Sequence, residues 1–88
     1  MVSYQLYYTK RAQKDARKIE RSNLKPLAEK LLAILRENPW QTPPPFEKLV
    51  GDMSGAYSRR INIQHRLVYQ VLEDERAVKI LAMWTHYE

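Results

Sequence analysis

The chain reads as an α+β domain of order β-α-α-β-β-β, with two helices packed on a twisted antiparallel sheet. Three observations lead there. Val2, Tyr4, Leu6 and Tyr8 alternate with Ser3, Gln5 and Tyr7 at the start; apolar residues recur at helical spacing between Ala12 and Leu35; and three short segments separated by turn residues fill the second half. Short links between those three segments favour an antiparallel meander. Each helix has only one apolar stripe, so both must cover the same sheet face. At 88 residues the chain is one domain, 1–88, large enough for a single small core.

The opening strand ends at Thr9, a residue whose hydroxyl suits a helix N-cap. Ala12, Ala16 and Ile19 then form a thin stripe amid Lys and Arg, which predicts a short, shallowly buried helix to about Arg21. Ser22 or Asn23 can cap a second helix. In it Leu24, Leu27, Ala28, Leu31, Leu32 and Leu35 follow the i, i+3, i+4, i+7 rule, and Pro26 falls in the first turn, where its missing N–H is harmless. The helix should stop near Asn38, because Pro39 disfavours helical geometry in the residue before it.

Four prolines between Pro39 and Pro45 predict an extended, stiff connection, after which Phe46 can anchor the chain and press Glu47 onto the body of the protein. Gly51 to Gly55 reads as a turn. Strands are expected around 57–62, 66–72 and 77–84, with Glu73-Asp74-Glu75-Arg76 as the last hairpin loop.

Charge narrows the choice of partner. Fifteen Lys and Arg against ten Asp and Glu give +5, and nine of the basic residues lie between Lys10 and Arg36 with only three acidic ones. A basic helical face of this kind can meet RNA or the acidic stretch of a protein neutraliser, although such runs also serve simply to solvate a helix. There is no cysteine, and His65 and His86 are too few for a zinc shell, so no metal and no cofactor is expected. No secretion signal opens the chain and no apolar run approaches the roughly 20 residues of a membrane span. The expectation is a soluble, cytoplasmic protein that does not engage a membrane.

The residue types present suit one chemistry in particular. RNA is cut without metal when its own 2′-OH attacks the adjacent phosphorus, since nucleophile and target are already in one molecule. A base must take the 2′-OH proton, cations must balance charge on the non-bridging oxygens, and an acid must protonate the departing 5′-oxygen. By type, Glu47 suits the base, Arg66 and Arg60 the phosphate clamp, and His86 the acid, with the Tyr87 hydroxyl as a further donor or stacking surface. Arg59 and Lys48 are further cations placed to bind RNA. His65, at a hairpin turn, reads as structural. On the strand from Arg66, Leu67, Tyr69 and Val71 share one face and Arg66, Val68 and Gln70 the other, so Arg66 should emerge away from the helices. The register of the turn at Ile63-Gln64 decides whether Arg60 joins it, and parity alone does not place His86.

The run Ser58-Arg59-Arg60-Ile61, the run His65-Arg66-Leu67-Val68-Tyr69 and the closing His86-Tyr87 together resemble the signature of the YoeB/Txe toxins of the RelE-like superfamily. The resemblance covers about Phe46 to Tyr87. It implies a RelE-like fold, a catalytic glutamate at Glu47, a catalytic arginine at Arg66, a terminal pair at His86 and Tyr87, and a phosphate contact at Arg60. It also implies an activity: ribosome-dependent endoribonuclease cleavage of mRNA by a toxin that a cognate antitoxin, YefM/Phd-like or a similar small protein, neutralises. Ribosome, mRNA, antitoxin and a second copy in a homodimer are the partners it brings. Two positions depart from the pattern: Val50 stands where many relatives carry lysine, and Ala82 lies where relatives often place arginine. The rival from another class is a non-catalytic RelE/ParE-like toxin, or a basic binding module, acting on a protein target such as DNA gyrase.

Overall fold

A computed structural model of the chain describes residues 3–85. Strand β1 (Gln5–Tyr8) leads into helices α1 (Lys10–Glu20) and α2 (Lys25–Glu37); β2 (Glu47–Lys48), β3 (Tyr57–Arg60), β4 (Arg66–Leu72) and β5 (Ala77–Thr85) complete a sheet of order β1-β5-β4-β3-β2. The β3-β4-β5 meander is antiparallel as expected. β1, however, runs parallel to β5, with Leu6 opposite Val78 and Tyr8 opposite Ile80, so the sheet is mixed. The meander leaves one edge of β5 unpaired, and the opening strand fills it. β2 was not foreseen: two residues are too few to show a period.

Thr9 caps α1 by accepting the Ala12 N–H at 3.0 Å. The second cap works differently from the expectation. Leu24 occupies the N-cap position without a side-chain bond, while Ser22 accepts the Leu24 N–H at 3.1 Å and donates to the Ile19 carbonyl at 2.8 Å, tying one helix end to the next start. Leu24, Ala28, Leu31 and Leu35 are buried, but Leu27 is 46% exposed. The core therefore takes a narrower stripe of α2 than the leucine pattern offers. Truncating fully buried Leu35 to alanine would cost about 2–5 kcal/mol.

The helices cover the Leu67, Tyr69 and Val71 side of β4, and Val68 faces the other way in a small second cluster with Ala56 and Ala82. On β5 a simple alternation fails. Tyr69 pairs with Ile80 but Val68 with Ala82, and Arg66 pairs with Thr85, so β5 carries one extra residue in each interval. The first bulge returns the buried face to Met83 after Ile80, so side-chain parity counted from the start of β5 fails at Ala82 and Met83, and the second bulge restores it in the pairing of Thr85 with Arg66.

Candidate functional site

The segment before Glu47 is held from below rather than stretched out. Arg59 is 1% exposed, and its guanidinium donates to the carbonyls of Pro44 at 2.6 Å, Gln41 at 2.8 Å and Pro39 at 2.9 Å, and to the Tyr69 hydroxyl at 3.0 Å. Burial pushes the Tyr69 phenol pKa up, only partly opposed by the arginine, so the hydroxyl stays neutral and accepts. Three carbonyls converging on one cation mean that the proline segment curves around Arg59 and is not the extended rod its composition predicts. Arg59 is accordingly unavailable to RNA in this fold, which corrects its assignment as an RNA-binding residue. Trp40, Phe46 and Tyr57 pack edge to face above it at centroid separations of 5.2–6.1 Å.

Beyond Phe46 the chain pairs with β3, Glu47 opposite Ser58 and Lys48 opposite Tyr57. Ser58 in turn lies opposite Val68, so Glu47 stands over the face that the helices leave uncovered. Its Oε1 accepts from Arg66 Nη1 at 2.7 Å; the carboxylate side chain is 65% exposed and the arginine only 16%. A pair this open to water contributes about 0.2–1 kcal/mol to stability. What it supplies is placement: a carboxylate and a guanidinium in contact on an accessible face.

The hairpin register, left open by the sequence, pairs Arg60 directly with Arg66. Directly opposed residues share a face, so the two cations stand together at the end of the β3–β4 ribbon. Lys48 and Arg60 are both exposed. His65 is 8% exposed, stacks on Trp84 with ring centroids 4.1 Å apart, and takes a backbone bond from its N–H to Asn62 Oδ1 at 2.7 Å, so it holds the hairpin end. His86 and Tyr87, assigned as acid and accessory donor, lie outside the described residues.

Sequence reasoning missed Asp15. It is 5% exposed, and one carboxylate oxygen accepts the N–H groups of Met83 at 3.0 Å and Trp84 at 3.3 Å. Those donors sit at the second bulge, on the edge of β5 that β1 no longer reaches. An aspartate on a basic helix carries no local signal of burial.

A concavity of about 410 Å³ opens between α2 and the proline segment, walled by Leu27, Leu31, Ile34, Pro43 and Pro44, with Arg60 at its border. Glu47 and Arg66 do not line it. The polar groups suited to chemistry stand instead on an open face, where a long polymer has access. Among the described residues no group of three or more His, Asp or Glu is gathered in metal-binding geometry, and no helix is long and apolar enough to cross a membrane.

Two helices on one face of a mixed five-stranded sheet, with a carboxylate and two arginines on the other, define a RelE-like α+β domain. Residues 3–87 match the family model of the YoeB-like toxin of bacterial type II toxin-antitoxin systems. Toxin YoeB of Mycobacterium bovis is 34% identical over 82 residues, 93% of this chain and 84% of that one. A YoeB/ParE toxin from Agrobacterium tumefaciens superimposes with a TM-score of 0.85 at 27% identity, covering 94% of this chain and 99% of that one. A chain of the YoeB-YefM complex from Staphylococcus aureus does so with a TM-score of 0.79 at 31% identity, covering 96% and 98%. This chain belongs to the YoeB-like toxins of type II toxin–antitoxin systems.

Proposed function

We propose that the protein is an endoribonuclease that cleaves mRNA on the ribosome by general acid–base catalysis without a metal ion. The observation that carries this reading is the 2.7 Å contact between Glu47 and Arg66 on the uncovered face, with Arg60 paired alongside. Arg66 keeps the carboxylate oriented while the site is empty. When an RNA phosphate arrives, the guanidinium turns to its non-bridging oxygens, and Glu47 is left to take the 2′-OH proton. Arg60 adds a second cation, whereas Lys48, registered opposite Tyr57, stands on the helix side of the sheet and is left out of the clamp.

His86 is the proposed acid for the 5′-oxygen, with Tyr87 as an accessory donor. It follows Thr85 by one peptide bond, and Thr85 is the residue registered against Arg66. Imidazole titrates close to neutral pH, so it can donate a proton without a large shift. A cognate antitoxin of the YefM kind is the proposed neutraliser, supported by the complex of the Staphylococcus aureus relative.

The test incubates mRNA with purified protein, with and without programmed ribosomes, and maps 5′ ends by primer extension. Cuts that depend on ribosomes are expected. Folded protein that cuts in neither mixture would refute the reading.

A further inference from the structure

We propose that Arg59 is a positioning residue for catalysis: its buried guanidinium fixes the proline segment and thereby sets where Glu47 meets Arg66. The inference rests on the reading of Glu47 as the general base.

A segment so rich in proline cannot hold its own shape by backbone hydrogen bonding, because proline has no N–H to give. Its carbonyls need donors from elsewhere. Arg59 supplies them to Pro39, Gln41 and Pro44, spanning the segment nearly from end to end. The same guanidinium lies 5.0 Å from the centroid of Phe46, the residue directly before Glu47. A cation withdrawn from water persists only where its donors are met, and here every named acceptor is neutral. The cluster holds this segment against the sheet, and among the described residues no acidic partner competes for the charge.

The geometry links anchor and base through one strand. Ser58, the β3 partner of Glu47, is the neighbour of Arg59 in sequence, and successive residues of a strand point to opposite faces. β3 thus carries the landing place of Glu47 on one face and the grip on the preceding chain on the other. β2 is only two residues long, so its own ladder restrains Glu47 weakly. Release of the grip frees the carboxylate to drift from Arg66 while the body of the domain stays folded.

Arg59→Lys keeps the charge but loses the fork that reaches three carbonyls. Phe46→Leu removes the ring beside the guanidinium and leaves the buried charge in place. Protein labelled with 5-fluorotryptophan gives one fluorine resonance for each of its two tryptophans, Trp40 on the segment and Trp84 on β5. Both variants should move the Trp40 resonance and leave that of Trp84 in place. Single-turnover cleavage on saturating ribosomes should fall by about 10- to 100-fold, the scale of a misplacement near 1 Å, with ribosome binding retained. In a Glu47→Gln background the same substitutions should have little further effect. Wild-type cleavage by both variants, or an equal loss with and without Glu47→Gln, would overturn the inference. Glu47→Gln cutting at the wild-type rate would remove the base assignment, and this inference with it, without reference to any Arg59 variant.

Discussion

Asp15 of α1 and Met83 of β5 are joined by a buried hydrogen bond of 3.0 Å from the strand N–H to the carboxylate, 68 residues apart in sequence. With the neighbouring Trp84 N–H on the same oxygen, the carboxylate replaces the sheet partner that a bulged strand end lacks.

Asp15→Ala leaves both N–H groups without a protein acceptor. Urea denaturation should show a loss of about 2–3 kcal/mol. Amide exchange should quicken at Met83 and Trp84 more than at Val78 and Ile80, whose strand keeps its neighbours. An unchanged midpoint and unchanged exchange would deny the carboxylate this role.

Acid sensitivity should come in part from Glu73. The Trp40 indole N–H donates to it at 2.6 Å and the Tyr4 hydroxyl at 3.0 Å, and these bonds, Trp40 foremost, hold its carboxyl below the usual glutamate range. A depressed carboxylate contributes stability above its unfolded value of about 4.3 and loses it as pH falls through the folded value. Trp40→Phe should therefore be less stable than wild type at pH 7, and the gap should narrow at pH 3. A gap that stays constant or widens on acidification would show that only packing is lost.

The products report on the nucleophile. Attack by the 2′-OH leaves a 2′,3′-cyclic phosphate and a 5′-OH, and needs no metal-bound hydroxide. Cleavage should persist under chelation that spares the ribosomes. A 5′-phosphate at the cut would assign the attack to water and overturn the roles given to Glu47 and His86.

Much of the fold was readable because its signals are local. Thr9 caps α1, the α2 leucines keep helical spacing, and Arg66 begins a strand whose alternation survives intact. What escaped depends on distance. The parallel pairing of β1 with β5 joins segments some 70 residues apart, and the β5 bulges are set by their partner strand, leaving no mark in its apolar run. Arg59 and Arg60 show the same limit within the site. Adjacent and chemically identical, they are separated by the alternation of β3, which buries one under the proline segment and leaves the other exposed beside Arg66. The Glu47–Arg66 contact itself needed two registers, β2 on β3 and β3 on β4, that no single-sequence pattern supplies.

In the proposed mechanism Glu47, held by Arg66, takes the 2′-OH proton. The most direct measurement is single-turnover cleavage of mRNA on saturating programmed ribosomes by wild type, Glu47→Gln, His86→Gln and Arg66→Ala, with ribosome binding measured in parallel. Glu47→Gln and His86→Gln should each slow cleavage by about 10²-fold or more with binding largely kept. Arg66→Ala should lose about 3 kcal/mol of transition-state stabilisation. Wild-type rates for both Glu47→Gln and His86→Gln would rule out these two residues as the acid–base pair.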